Sequence, residues 1–136
     1  MMSKDNERIA IMAQHYLICA LFADSEEGSY PRVTKQAREK AIVDCRMFCE
    51  MAGPELLREV QRRKVDGYGA HPDCGNVHPE FAAMGHDLWL TRNEHGAGFW
   101  DREALADDEL GDKLSEIARK MGSADYEFYR GWFYLY

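Results

Sequence analysis

The stretch Tyr126-Glu-Phe-Tyr-Arg-Gly-Trp-Phe-Tyr-Leu-Tyr136 decides how the C-terminal part of the chain folds. Strand-forming residues stand on both sides of Arg130-Gly131, a pair that suits a two-residue turn, so the stretch predicts a β-hairpin. Upstream, Asp87 to Thr91 has strand-like residues, residues 92–96 read as a turn, and Ala97 to Trp100 would return as a second strand. Four strands joined in this way predict one antiparallel sheet.

The rest of the chain carries helical patterns, in which apolar residues recur at steps of three and four. Pro31 suits the first position of a helix, and Gly53 followed by Pro54 should end that helix. Pro54 can open the next helix, and Asp107 or Asp108 can cap the last one. The predicted helices span residues 3–23, 31–51, 54–64 and 108–121.

The order of these elements predicts an α+β fold: N-terminal helices plus a small antiparallel sheet of two hairpins with a helix between them. Residues 66–80 are rich in Gly and Pro and predict a loop. Neither half of the chain looks large enough to be stable alone. We therefore expect a single domain over residues 1–136, with a helical part at 1–65, a loop at 66–84 and an α+β part at 85–136.

Composition limits the class of function. The chain has 136 residues and a formal net charge of −7. An acidic chain repels phosphates, so direct nucleic-acid binding is not favoured. No apolar run reaches the length of a membrane span, and the first residues do not resemble a secretory signal. We expect a cytoplasmic protein without membrane contact, in which Cys19, Cys45 and Cys49 are free thiols in the core.

The segment Gly85-His-Asp-Leu-Trp-Leu-Thr-Arg-Asn-Glu-His-Gly-Ala-Gly-Phe-Trp-Asp-Arg102 resembles the core motif of a family of small proteins from bacteriophages and related mobile elements. Gly111-Asp-Lys-Leu114 and the terminal aromatic hairpin fit the same plan. The chain departs from the motif at Glu94, where glycine is usual, and at the Arg130-Gly131 turn. Small size, acidic charge, the absence of catalytic motifs and this resemblance together predict a phage-type accessory protein in the host-cell cytoplasm. We expect it to inhibit a nucleic-acid-targeting defence system of the host, of the anti-CRISPR or anti-restriction type.

An acidic stretch follows the motif and is the predicted partner-binding surface. Carboxylates grouped in this way could mimic phosphates and bind a basic groove on a host protein or ribonucleoprotein complex. The alternative is a solvated helix cap and loop. The predicted partner-binding residues are Asp101, Glu103, Asp107, Asp108, Glu109 and Asp112.

A second hypothesis is a small hydrolase or transferase built on Arg92, Glu94, His95 and Asp101. His95 could act as a general base that a carboxylate orients, and Arg92 could bind a phosphate or carboxylate of the substrate. The alternative is structural, because Asn and Gly supply turn conformations and Asp101 could pair with a neighbouring arginine.

Three further possibilities remain open. The side chains of His71, Cys74 and His78 are spaced so that they could bind zinc. Paired Cys-x-x-Cys knuckles are absent, so we expect neither a metal nor a cofactor. A basic run could contact nucleic acid or an acidic protein surface, or could be a solvated helix face, which is the favoured alternative to nucleic acid. The run comprises Arg58, Arg62, Arg63 and Lys64, extended by Arg32, Lys35, Arg38 and Lys40. The protein could also self-associate through its terminal aromatic strand. The sequence does not fix the oligomeric state.

Overall fold

The computed structural model describes residues 4–26, 28–29, 31–63 and 78–136. The helices are α1 (Lys4–Asp24), α2 (Lys35–Arg62), α3 (Pro79–Arg92) and α4 (Leu110–Lys120). The strands are β1 (Arg32–Val33), β2 (Tyr126–Tyr129) and β3 (Trp132–Leu135). Short 3₁₀ turns at Phe99–Asp101, Glu103–Leu105 and Asp107–Glu109 lead into α4. The predicted α+β class is confirmed.

The break predicted at Gly53-Pro54 is present as a kink inside α2. Gly53 has φ 84° and ψ 161°, a backbone conformation that is essentially restricted to glycine. Pro54 follows in the first turn after the kink. Its missing N–H is tolerated there, because Gly53 has already interrupted the hydrogen bonds of the preceding turn. The two helices predicted on either side of this pair are therefore two arms of α2.

Pro31 does not begin α2, in contrast to the prediction. Arg32 and Val33 form β1 instead, and Thr34 caps the helix by accepting a hydrogen bond from Ala37 N at 3.0 Å. Thr34 Oγ1 also donates to the carbonyl oxygen of Phe133 at 2.8 Å. A threonine that can satisfy both the helix terminus and the sheet explains why the helix starts after β1.

The strand predicted at Asp87 to Thr91 is wrong, because these residues belong to α3. Pro79 occupies the first turn of this helix, and its apolar residues face the core on several sides. A helix that is buried on several sides has no polar stripe, so a short part of it resembles a strand. Gly85 explains the close packing: a Cβ there would lie 2.0 Å from the carbonyl oxygen of Met12 in α1.

The return strand at Ala97 to Trp100 is also wrong, and that segment holds a loop and the first 3₁₀ turn. The predicted hairpin of β2 and β3 is present, with Tyr129 opposite Trp132. The predicted antiparallel sheet of two hairpins is replaced by a mixed sheet in the order β1-β3-β2, in which β1 runs parallel to β3. Helix α4 begins at Leu110, and its N-cap is Glu109 without a side-chain cap, so neither Asp107 nor Asp108 caps it.

Trp89 of α3 lies fully buried where the helices meet the sheet. Its ring packs edge-on against Tyr16 of α1, with ring centroids 5.1 Å apart. It also contacts Tyr126 at 5.2 Å and Phe133 at 6.1 Å. Cys19, Cys45 and Cys49 are buried in the same core, as predicted. None of the helices in the described ranges combines the length and apolar character that a membrane span requires.

Candidate functional site

The acidic segment, residues 101–112, runs through the 3₁₀ turns into α4. Its apolar residues anchor it, since Phe99 just before it, together with Leu105 and Leu110, belongs to the core. Gly111 lets α4 begin directly against this turn, because a Cβ there would lie 2.7 Å from the carbonyl oxygen of Phe99. The backbone of the segment is therefore fixed to the core.

Arg63, at the end of α2, holds the middle of the acidic segment. Its Nη1 atom donates to the carbonyl oxygens of Ala104 and Asp107 at 3.3 and 2.8 Å. Its Nη2 atom lies 3.4 Å from Asp108 Oδ2, and its Nε atom donates to Glu59 at 2.9 Å. The Arg63 side chain is only 9% exposed, whereas that of Asp108 is 85% exposed, so the clamp joins a largely covered arginine to the solvent-facing side of the segment.

The first two charged groups of the segment both have partners within the molecule. Arg102, the one basic residue between positions 101 and 112, forms a bidentate pair with the buried carboxylate of Asp87. Asp101 accepts a hydrogen bond from Gly98 N at 3.0 Å and so caps the first 3₁₀ turn. The charge of Arg102 is thus shared with Asp87 rather than with the acidic side chains of the segment.

The structure brings the six predicted partner-binding residues together on this one segment, and all six are exposed: Asp101, Glu103, Asp107, Asp108, Glu109 and Asp112. Within the described part of the chain, Asp108 alone among them forms a salt bridge. Asp108 and Glu109 also have left-handed backbones, with φ 58° and 57°. Such a conformation costs on the order of 1 kcal/mol per residue and persists only where surrounding contacts impose it. The result is a surface of concentrated negative charge.

Arg92, the first residue of the catalytic hypothesis, lies buried in a polar cluster. Its Nη1 atom donates to Tyr16 Oη at 2.9 Å and to Asp44 Oδ2 at 3.1 Å. Its Nε atom donates to the carbonyl oxygen of Gly122 at 2.8 Å. Burial raises the pKa of Tyr16 well above its usual value, with the charges of Arg92 and Asp44 acting in opposite directions. These contacts join α1, α2 and α3 to the end of α4.

His95, by contrast, reaches the surface and pairs with a carboxylate that the sequence did not identify. Its Nε2 atom lies 3.1 Å from Asp24 Oδ2, the last residue of α1. The same oxygen accepts a hydrogen bond from Trp89 Nε1 at 2.6 Å. Tyr126 adjoins the pair, and burial followed by the charge of Asp24 raises its pKa. Glu94 is exposed beside His95 and has a left-handed φ of 59°, a backbone conformation that favours glycine.

No sequence signal marks Asp24 as a partner of His95. The two residues are far apart in the chain, and their approach depends on α3 packing along α1 as a helix. Because Asp87 to Thr91 were predicted as a strand, a helix that packs along α1 was not considered. Asp44 was missed for the same reason.

The metal hypothesis cannot be followed through, because His71 and Cys74 lie outside the described residues. His78 is described, and its Nε2 atom lies 3.6 Å from Glu7 Oε1. Among the described residues, no group of three or more potential ligands is arranged to hold a metal ion.

The basic run divides between two roles. Arg62 and Arg63 both bind Glu59, and their hydrogen bonds lower the pKa of that carboxyl to about 2. Arg58 is exposed on the second arm of α2. It lines a groove of about 510 Å³ between α1 and α2, together with Arg46. Lys64 lies outside the described residues.

Comparisons with protein-family models, with curated proteins and with solved structures find no match to this chain.

Proposed function

We propose that this protein is a binding module that docks through the acidic segment onto a basic surface of a macromolecular complex. The observation that carries the proposal is the array of six exposed carboxylates on a clamped and strained backbone. Together with the resemblance to phage proteins, it favours an accessory protein that occludes a nucleic-acid-targeting defence complex of the anti-CRISPR or anti-restriction type.

The mechanism is phosphate mimicry. Carboxylates on a fixed backbone attract a basic groove over several ångströms and accelerate the encounter. Because Arg63 and the buried leucines already hold the segment, little conformational entropy is lost when the complex forms. The partner's arginines and lysines then meet carboxylates in place of nucleic-acid phosphates, and the nucleic acid is excluded.

The test is an affinity capture from host lysate with the tagged protein, at low and moderate salt, read by mass spectrometry. The segment variant removes four charges without changing side-chain shape: Glu103→Gln, Asp107→Asn, Asp108→Asn and Glu109→Gln. The matched control removes four exposed charges elsewhere: Glu39→Gln, Glu50→Gln, Glu55→Gln and Glu116→Gln. Each variant changes the net charge from −7 to −3, that is, −7 plus four.

We expect a salt-sensitive, stoichiometric partner that handles nucleic acid. Once that partner is purified, its affinity should fall at least about tenfold for the segment variant, because close charge pairs across an interface contribute on the order of 1 kcal/mol or more. The control variant should bind like the wild-type chain. Equal binding by all three proteins would remove the mimicry mechanism, and the absence of any partner would remove the binding module.

The pairing of His95 with Asp24 favours a second candidate function, a small hydrolase or transferase. In this hypothesis Asp24 orients the imidazole and Glu94 contributes a second carboxylate at the surface. Asp101 would hold the loop that follows His95, because its carboxylate accepts a hydrogen bond from Gly98 N. Arg92 is buried and pairs with Asp44 rather than with a substrate anion.

Two substitutions separate chemistry from structure at this pair. His95→Ala removes both the base and the hydrogen bond to Asp24, whereas His95→Asn keeps an N–H donor but has no base. A chemical role predicts that both variants lose function while remaining folded by circular dichroism. A purely structural role predicts that His95→Asn retains function.

A further inference from the structure

The outer face of the sheet exposes a set of aromatic side chains that the acidic segment does not use. Tyr129, Trp132 and Tyr136 are 50%, 39% and 53% exposed, and Tyr134 is half-buried. Trp132, Tyr134 and Tyr136 occupy alternate positions along one strand direction, so they follow one another at steps of about 7 Å. Tyr129 lies beside Trp132 on the neighbouring strand. We call these four residues the aromatic face.

Two arginines flank the aromatic face at one end. The guanidinium carbon of Arg32 lies 5.8 Å from the ring centroid of Trp132, and that of Arg130 lies 5.2 Å from the ring centroid of Tyr129. Both arginines are exposed. Exposed rings beside guanidinium groups form the kind of surface on which unpaired bases stack, with cations placed for the adjoining phosphates.

We propose that the aromatic face binds single-stranded nucleic acid. The rings of Trp132 and Tyr134 stack with successive bases, and Arg32 and Arg130 contact the backbone phosphates. Stacking is tolerant of sequence because every base has a π-face, so the proposal is for a strand without a fixed sequence.

The net charge of −7 does not oppose this, because residues 101–112, with six acids and one arginine, account for −5 of it, whereas residues 113–136 hold four basic and three acidic residues. The acidic segment leads into the N-terminus of α4, whereas β2 and β3 follow its C-terminus. The eleven residues of α4 span about 16 Å between these two ends. Glu127 is the acid on the strands of this face, and its carboxylate accepts a hydrogen bond from Tyr136 Oη at 3.1 Å. Phosphates are therefore expected on the side of Arg32 and Arg130.

The experiment measures fluorescence anisotropy of a labelled oligothymidylate of about 15 nucleotides, with a duplex of equal length as comparison. At about 20 mM salt, where screening is weak, the single strand should bind and the duplex should bind at least about tenfold more weakly. Two phosphate contacts predict a slope of about −1.4 for log K against log salt concentration. In a Trp100→Phe background, the oligonucleotide should also quench Trp132.

Variants locate the binding. Trp132→Ala and the pair Arg32→Glu with Arg130→Glu should each lower the affinity about tenfold or more. The matched control, Arg58→Glu with Lys113→Glu, makes the same change in net charge at exposed positions away from the sheet and should bind far better than the arginine pair. Circular dichroism and the midpoint of urea unfolding verify that every variant is folded.

Three results would overturn the proposal. One is a wild-type chain that leaves the oligonucleotide free at low salt, and another is an arginine pair variant that binds no worse than its control. A third is a Trp132→Ala variant that binds the oligonucleotide like the wild-type chain but loses self-association or the capture of a protein partner. The acidic segment is not involved in any of these measurements, so the proposed function stands or falls separately.

Discussion

Asp44 accepts hydrogen bonds from three side chains inside the molecule, those of Tyr16, Lys40 and Arg92. Replacing it with Ala leaves the guanidinium of Arg92 buried without its carboxylate, and removal of one partner from such a pair typically costs about 3–5 kcal/mol. We therefore expect Asp44→Ala to lower the free energy of unfolding by roughly that amount, measured by urea denaturation.

Lys40→Met supplies the comparison for Asp44→Ala. The Lys40 side chain is 33% exposed and pairs with Asp44 at 2.7 Å. Water can replace much of that contact, so the loss should stay near or below about 1 kcal/mol. Similar losses for the two variants would mean that the Arg92 pair is not the centre of the cluster.

Cys19 permits a prediction about reactivity. Burial, followed by the nearby charges of Asp87 and Asp24, raises the pKa of its thiol to about 12. The thiolate is the reactive form, so at pH 8 its population is about a thousandfold below that of a free cysteine. Burial also raises the pKa of Cys45 well above its usual value.

In a Cys74→Ser background, we expect almost no reaction with a thiol reagent such as Ellman's reagent at pH 8 until the chain is unfolded. In denaturant, Cys19, Cys45 and Cys49 should then react together. Fast labelling of any of them under native conditions would show that the helices open locally.

At the scale of elements, the contact between α1 and α3 depends on Gly85. A methyl group there would lie 2.0 Å from the carbonyl oxygen of Met12, and backbone at that distance cannot yield as a flexible side chain would. We expect Gly85→Ala to destabilise the fold by at least about 2 kcal/mol through overpacking. Gly96→Ala is the control, since nothing lies within 4 Å of its added methyl group. Equal unfolding midpoints for the two variants would contradict this account of the interface.

The same contact explains how far the sequence could predict the fold. The terminal hairpin and the break at Gly53 follow from local turn and cap chemistry, and both were predicted. Helix α3 was not, because its apolar residues face neighbours on several sides and leave no polar stripe. The two-residue strand β1 was missed because it exists only by pairing with β3, about a hundred residues later in the chain.

The candidate sites divide in a similar way. The acidic segment is contiguous in sequence, so its residues could be predicted without knowledge of the fold. The pair of His95 and Asp24 could not, since it depends on helix packing between distant parts of the chain. Exposure of the aromatic face could not be predicted either, because alternation in a strand does not say which of its faces is covered.

At the scale of the whole molecule, the acidic segment and the aromatic face should act independently. They lie beyond opposite ends of α4, and independent sites contribute additively to binding. The segment variant should therefore retain oligonucleotide binding. Its affinity should rise slightly, because the loss of four carboxylates makes the net charge less negative, −3 in place of −7.

Conversely, Trp132→Ala should leave capture of the protein partner unchanged while weakening the oligonucleotide. A double variant that combines both sets of changes tests additivity, with each affinity measured at two salt concentrations. If the segment variant lost the oligonucleotide as well, the two surfaces would have to share one ligand. The acidic segment and the aromatic face would then form one binding surface, rather than two surfaces that bind a basic protein and an unpaired strand separately.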